Sequence, residues 1–221
     1  MYLTIEEKVA AQIIEKKSKF IANLIPVQSK QEAEEELQKI RKIYHDARHN
    51  CYAYRVLEEG VTERASDDGE PSGTAGAPML ELLRGSNLVN VLVVVTRYFG
   101  GILLGTGGLV KAYSDTTSSA IQAAQKLQLT KVTEIKILID YTELEKLKHY
   151  LKQIQGKIVQ IDYKEMIEAI IYVPIEQIEL FTKKYSNIPF NITRCEILQE
   201  KFAYISTNTK LTWKNFQKSI A

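Results

Sequence analysis

The run Leu88 to Val95 constrains this chain more than any other feature: eight residues, mostly β-branched or aliphatic. Being apolar on both faces, Val89–Val95 predicts a central strand covered on either side. Upstream lies Ser66-Asp67-Asp68-Gly69-Glu70-Pro71-Ser72-Gly73-Thr74-Ala75-Gly76-Ala77-Pro78-Met79, and downstream Arg97-Tyr98-Phe99-Gly100-Gly101-Ile102-Leu103-Leu104-Gly105-Thr106-Gly107-Gly108-Leu109-Val110-Lys111. These two segments hold most of the chain's 11 glycines. Glycines bunched at both ends of a buried strand bring backbone close to a ligand or to another stretch of chain. Function concentrates on loops of this kind.

At 221 residues and 45% hydrophobic content the chain can build one large domain or two ordinary ones. No apolar stretch reaches the ~20 residues that cross a bilayer. Met1–Ala11 carries Glu6 and Glu7 and no apolar signal core, so no export signal is evident. Cys51 and Cys195 are too few for a disulfide framework and too far apart for a Cys-x-x-Cys site. The expected setting is cytoplasmic and reducing, away from any membrane. Charge is balanced, at net +2: up to Gln128 there are 15 basic against 16 acidic residues, and beyond it 14 against 11. A dedicated nucleic-acid domain shows a basic stripe. RNA binding by this chain therefore requires a local patch that folding creates.

Strand-like segments at Lys8–Lys16 and Lys19–Val27 open the chain. Ser29 stands three residues before Glu32, a capping-box signal. Ala33, Leu37, Ile40 and Ile43 or Tyr44 recur at helical spacing, predicting a helix over Lys30–Tyr44 whose charged side, with Glu34, Glu35, Glu36, Lys39 and Lys42, faces water. His49–Leu57 alternates as a strand, with Cys51, Ala53 and Arg55 on one side and Tyr52, Tyr54 and Val56 on the other. Glu58–Ser72 reads as a polar loop, Gly73–Arg84 as a helix, Gly85-Ser86-Asn87 as a break. From Gly105 a helix runs to about Leu127, burying Leu109, Tyr113, Thr116, Ala120, Ala124 and Leu127.

Beyond Gln128 the order is strand Lys131–Asp140, a helix opened by Thr142-x-x-Glu145 with Leu144, Leu147, Leu151 and Ile154 inward, and a stop at Gly156. Strands Lys157–Tyr163 and Met166–Val173 follow, then a helix Ile175–Tyr185 burying Ile178 and Phe181, and a strand from about Asn191 to Ile205. This βαββαβ order is ferredoxin-like. The expected division is a first domain 1–128, a second 129–206 and a polar tail 207–221 in which Leu211, Trp213 and Phe216 are the apolar exceptions.

Several residues invite chemistry. Gly105-Thr106-Gly107-Gly108, at a strand-to-helix junction, can offer backbone N–H groups to a phosphate, with Arg97 at the preceding strand end and Lys111 one turn into the helix. The plainer reading is close packing of strand, loop and helix. Lys111 lies between Val110 and Ala112, so this is not a Walker A loop, nor does it fit a dinucleotide fingerprint. Asp67, Asp68 and Glu70 are hard oxygen donors of the kind Mg²⁺ takes; helix capping by Ser72 or Thr74, beside Gly73, accounts for the same composition. Cys51 with His49 suggests a nucleophile and base, against a buried structural thiol. Tyr98 and Phe99, beside Gly100 and Gly101, suit base stacking or core packing. His45 and His149 have no partners at metal spacing. No catalytic residue, cofactor or metal is assigned.

The composite of His49-Asn50-Cys51-Tyr52-Ala53-Tyr54-Arg55, the Asp67–Met79 segment and Arg97–Tyr113 resembles the IMPACT family. The second domain is similar to the C-terminal domain of bacterial members and resembles the last domain of elongation factor G. The resemblance implies an α+β protein: a first domain of ribosomal-protein-S5 domain-2-like fold, then a ferredoxin-like βαββαβ domain. That first superfamily also includes small-molecule kinases whose glycine-rich helix start binds phosphate. Eukaryotic relatives act in translational control, restraining a nutrient-sensing kinase by competing for its ribosome-associated activator. The expected function is non-catalytic binding of RNA or the ribosome in regulating translation. Arg97, Lys111, Arg48, Arg55 and Arg64 would then contact phosphates, and Tyr98 or Phe99 would stack on bases. The alternatives are a Mg²⁺-dependent enzyme or binding protein for a nucleotide or phosphorylated small molecule, and a protein–protein adaptor using the glycine-rich surface.

Overall fold

Residues 2–58, 60–179 and 188–204 are described by the computed structural model, which divides into two compact units, 1–129 and 130–221. In the first unit, strands β1 (Leu3–Ile5), β2 (Val9–Glu15) and β3 (Ser18–Pro26) precede helix α1 (Lys30–Ile43). Strands β4 (His49–Leu57) and β5 (Val61–Ser66), helix α2 (Gly76–Gly85), strand β6 (Val91–Tyr98) and helix α3 (Gly105–Ala123) follow. Five of these strands form an antiparallel sheet in the order β2-β3-β6-β4-β5. β6 sits at the centre, as its two-sided apolar pattern requires. Val91, Val93 and Val95 pack with Cys51, Ala53, Met79, Leu109 and Tyr113 beneath α2 and α3. Leu92 and Val94 face the other way, with Tyr52, Tyr54, Val56 and the Ala33, Leu37 and Ile40 stripe of α1. The sides expected for β4 are those observed.

Ser29 caps α1, accepting the Glu32 N–H at 3.1 Å, while the Glu32 carboxylate reaches back to the Gln28 N–H at 2.6 Å. Ile43 turns to solvent, leaving Tyr44 as the partly buried residue at that end. Three expectations change in this unit. The polar stretch 58–72 contains β5, a half-exposed edge strand paired with β4. Its polar composition suits an exposed edge. β6 starts at Val91 because Asn87 and Asn90 take left-handed φ of 53° and 56°, which breaks extension before that point. α3 stops at Ala123, since Lys126–Gln128 pair instead with β1.

That pairing belongs to strand β7 (Lys126–Ile139), whose later residues enter the second unit. There follow helix α4 (Leu144–Gln153), strands β8 (Lys157–Tyr163) and β9 (Ile167–Pro174), a short 3₁₀ turn Ile175–Gln177 and strand β10 (Arg194–Tyr204). The sheet order β10-β7-β9-β8 leaves Ile135, Ile137, Ile139, Ile167, Ala169, Ile171 and Val173 on one face against Leu147 and Leu151 of α4. The chain is thus α+β in both units. Asp140, rather than Thr142, caps the turn before α4: its carboxylate accepts the Thr142 N–H at 2.9 Å. Gly156 ends the segment as expected, its N–H bonding Leu151 O at 2.7 Å, but Gln155 takes the left-handed φ of 55°. Of the helix expected at Ile175–Tyr185, the part from Leu180 on, including Phe181, lies outside the described residues, as do Ile205 and the tail 207–221.

Candidate functional site

The two glycine-rich segments meet at one end of the first sheet, through Glu70 and Arg97; the upstream acids turn inward, whereas from Phe99 to Leu103 the downstream segment turns to solvent. In the upstream segment every acid has an internal partner. Asp67 accepts the N–H groups of Gly73 (2.9 Å), Ala75 (2.9 Å) and Gly76 (2.8 Å), and so caps the start of α2 from nine residues away. Burial pushes its carboxyl up, but these three donors outweigh burial and hold it below the usual carboxylate value. Asp68 pairs with Arg41 at 2.7 Å and accepts the Asn50 N–H at 2.7 Å. Glu70 bonds Arg97 at 2.6 Å and accepts from the Tyr113 hydroxyl at 2.9 Å. Thr74 donates to Pro71 O at 2.6 Å, and Ser72 and Gly73 are exposed. Capping of α2 thus falls to Asp67 and not to Ser72 or Thr74. The three acids diverge, and no group of three or more His, Cys, Asp or Glu among the described residues is arranged to hold a metal ion.

The pair Arg97–Glu70 is the innermost part. Their side chains are 8% and 3% exposed, and the guanidinium lies between the rings of Phe20 (5.5 Å) and Phe99 (5.6 Å). β6 alternation puts Arg97 on the α3 side, opposite Phe20 and His49 in register. The side chain expected to reach a phosphate is instead neutralised inside the unit. Cys51 belongs to the same buried group, its Sγ 2.9 Å from Asp67 O and 3.3 Å from Tyr113 Oη. Burial pushes the thiol up to about 12. It therefore stays protonated at neutral pH and is a poor nucleophile. His49, two residues away on the same strand, has its Nδ1 2.9 Å from Asp68 O.

The downstream segment faces outward. Gly100 lies hard against the β2–β3 turn: a Cβ there would stand 2.0 Å from the Lys17 carbonyl carbon, and the Gly100 N–H bonds Ser18 Oγ at 3.1 Å. The turn itself is unusual. Lys16 and Lys17, both exposed, take φ of 43° and 66°, the left-handed pair that a two-residue hairpin demands and that Asn-Gly normally supplies. Next to them, Lys19 pairs in register with Tyr98 and holds its ammonium 5.3 Å from that ring. The Tyr98 hydroxyl donates to Asp46 at 2.7 Å, and this bond pushes the phenol up to about 12. Arg48 is exposed immediately before β4, whose His49 pairs with Arg97. The strand register thus brings Lys16, Lys17, Lys19, Arg48 and Tyr98 to one sheet end. The lysine turn is not among the residues that the sequence singles out, because Lys-Lys carries none of the Asn-Gly chemistry that marks a two-residue hairpin.

On either side of Gly100 and Gly101 the chain shows Phe99, Ile102 and Leu103 at 54%, 43% and 82% exposure. α3 then begins without a side-chain cap. Gly105, at φ 72°, and Gly107 face open space, Thr106 is exposed, and only Gly108 packs closely, against Leu104. Lys111 is exposed and bonded to Asp115 at 2.6 Å. The remaining two arginines lie elsewhere. Arg55 is buried, bonded to Glu63 at 2.7 Å and to the carbonyls of Leu83 and Leu88, and Arg64 on β5 pairs with Glu34 at 3.1 Å. Arg55 is a packing residue and not a phosphate contact.

A model of the Impact N-terminal domain matches residues 16–121, the span from the lysine turn to near the end of α3, and a model of a domain of unknown function (DUF1949) matches residues 137–188. The IMPACT family member YvyE of Bacillus subtilis is 40% identical over 182 residues, 82% of this chain and 84% of its own length. The Protein IMPACT homolog of Dictyostelium discoideum is 47% identical over 98 residues, 42% of this chain and 28% of its own. A crystal structure described as a hypothetical protein covers 86% of this chain and 95% of its own at 34% identity, with a TM-score of 0.61.

Proposed function

This chain belongs to the IMPACT family, and on that premise we propose that it regulates translation by binding RNA or the ribosome, without catalysing a reaction. The observation that carries the reading is the strained lysine turn. Left-handed φ on a residue with a side chain costs of order 1 kcal/mol or more, and strain of this kind collects where a side chain's job outranks local preference. Lys16 and Lys17 lift two ammonium groups clear of the sheet, with Lys19 and Arg48 beside them. This is the local basic patch that a balanced overall charge called for. Phosphates are its natural ligand, since each ammonium that meets one releases condensed counterions. Tyr98 offers a ring for stacking, and the uncapped, glycine-bare start of α3 adds free backbone N–H groups nearby.

Sedimentation with ribosomes through a sucrose cushion across a salt series tests this. Wild-type protein should co-sediment at low salt and be released as salt rises. Lys16→Ala with Lys17→Ala should weaken binding and make the slope of log affinity against log salt shallower by about 1 to 2, one step per lost phosphate contact. Absence of co-sedimentation at low salt, or an unchanged slope in the double variant, would sink the proposal.

A further inference from the structure

The segment just past the lysine turn has the wrong chemistry for nucleic acid. Among the described residues of the first unit, the large exposed hydrophobics other than Ile14 and Ile43 all lie between positions 99 and 110: Phe99, Ile102, Leu103 and Val110. A phosphate backbone gives an isobutyl side chain nothing to bury against. The segment is also held in place, not merely left out. Gly100 is pressed onto the Lys17 backbone and bonded to Ser18, and the Phe99 ring is seated on the Arg97 guanidinium, which Glu70 fixes in turn. An apolar crest ordered before binding loses little conformational entropy when it docks. Exposed apolar surface of this kind, bordered by polar residues, marks a protein-binding site.

We propose that the crest Phe99–Leu103 seats in an apolar pocket on a protein component of the ribosome, while the adjoining lysine turn contacts ribosomal RNA. The pocket's rim should carry a carboxylate, because Lys19, which is not part of the turn that meets RNA, borders the crest beside Tyr98 and complements it. This rests on the reading above and sharpens it: the preferred target is a ribonucleoprotein surface and not RNA alone.

The two contacts respond differently to salt, which separates them. Burial of one leucine is worth roughly a tenfold or greater change in affinity and releases no counterions. Binding of the full chain is measured against intact ribosomes and against the deproteinised RNA of the same ribosomes, over one salt series. Wild type should prefer intact ribosomes by about tenfold or more. Leu103→Ser should lose most of that preference, keep the salt slope and leave RNA affinity unchanged; its thermal unfolding should match wild type, because the side chain is exposed. Lys16→Ala with Lys17→Ala should weaken both bindings and flatten both slopes. A photo-crosslinker at position 103 should label ribosomal protein. Equal wild-type affinity for the two targets, a silent Leu103→Ser, or crosslinks from position 103 to RNA would each overturn this inference while leaving RNA binding standing. Wild-type binding to neither target would overturn both.

Discussion

The segments flanking the central strand share a composition and differ in what they do with it. Upstream, Asp67, Asp68 and Glu70 each find a partner inside the unit, and the loop becomes a latch joining α2, α1, β6 and α3. Downstream, the glycines let backbone come close at a single point, Gly100, and beyond it the chain displays apolar side chains and bare helix start to solvent. Each segment has one glycine pressed against backbone, Gly76 against Ser66 and Gly100 against Lys17. A glycine-rich, charged loop beside a buried strand is therefore not in itself a binding loop. What separates the two is whether the polar groups have partners within reach.

Variants can break this contrast. Gly100→Val should have the largest effect. A side chain placed 2.0 Å from the Lys17 carbonyl must push the β2–β3 turn away, at a cost of about 3 kcal/mol or more, and calorimetry should show loss or severe weakening of the unfolding transition. The neighbouring Gly107→Ala is the control: open space and a helical position should make it stabilising, by about 0.5–1 kcal/mol. Equal effects of the two would show that the crest is not pinned at Gly100.

Next comes Glu70→Gln, which preserves a partner for Tyr113 but leaves the buried Arg97 charge uncompensated. Denaturant unfolding should show a loss of about 3–5 kcal/mol. A loss under 1 kcal/mol would mean that the latch does not depend on this pair.

Asp67→Asn should cost about 1–2 kcal/mol near neutral pH, in the range of a lost helix cap. Its pH dependence has a definite sign. The folded carboxyl is held below the unfolded value of 3.8, so its stabilisation is complete above that pH and is lost as pH falls through the folded value. The gap between wild type and variant should accordingly close in acid, and a gap constant from pH 7 to pH 2.5 would remove the carboxylate from the account.

Much of this was legible beforehand, for reasons that differ by element. The two-sided apolar run placed β6 at the centre, and Ser29 with Glu32 placed the start of α1. The β5 strand was hidden because its exposed edge needs no apolar alternation, so its residues looked like loop. The fate of Arg97 followed from β6 alternation, but only once α3 was known to cover that face. The contact of Gly100 with Lys17 joins residues that no local pattern relates. The turn at Lys16-Lys17 defies turn preferences outright, and under the proposed function it is ligand contact that accounts for lysine at those positions.

The smallest expected effect tests that last point. Lys16→Asn with Lys17→Gly supplies the residues a two-residue hairpin favours and should stabilise the unit by about 1 kcal/mol while weakening ribosome binding. Improved stability with unchanged binding would assign the strain to something other than ligand contact.

The central position of β6 also sets an order of assembly. β2 with β3 and β4 with β5 are hairpins between sequence neighbours, and β6 alone joins them. On a ribosome adding ~5–20 residues per second, seconds separate the completion of Pro26 from the arrival of Val91. Until then the nascent chain holds two hairpins with no strand between them. The lysine turn is made early and the loop that braces it only after β6. A chain cut short before Val91 would carry the charge without the apolar contact, and could not compete for a partner that reads both.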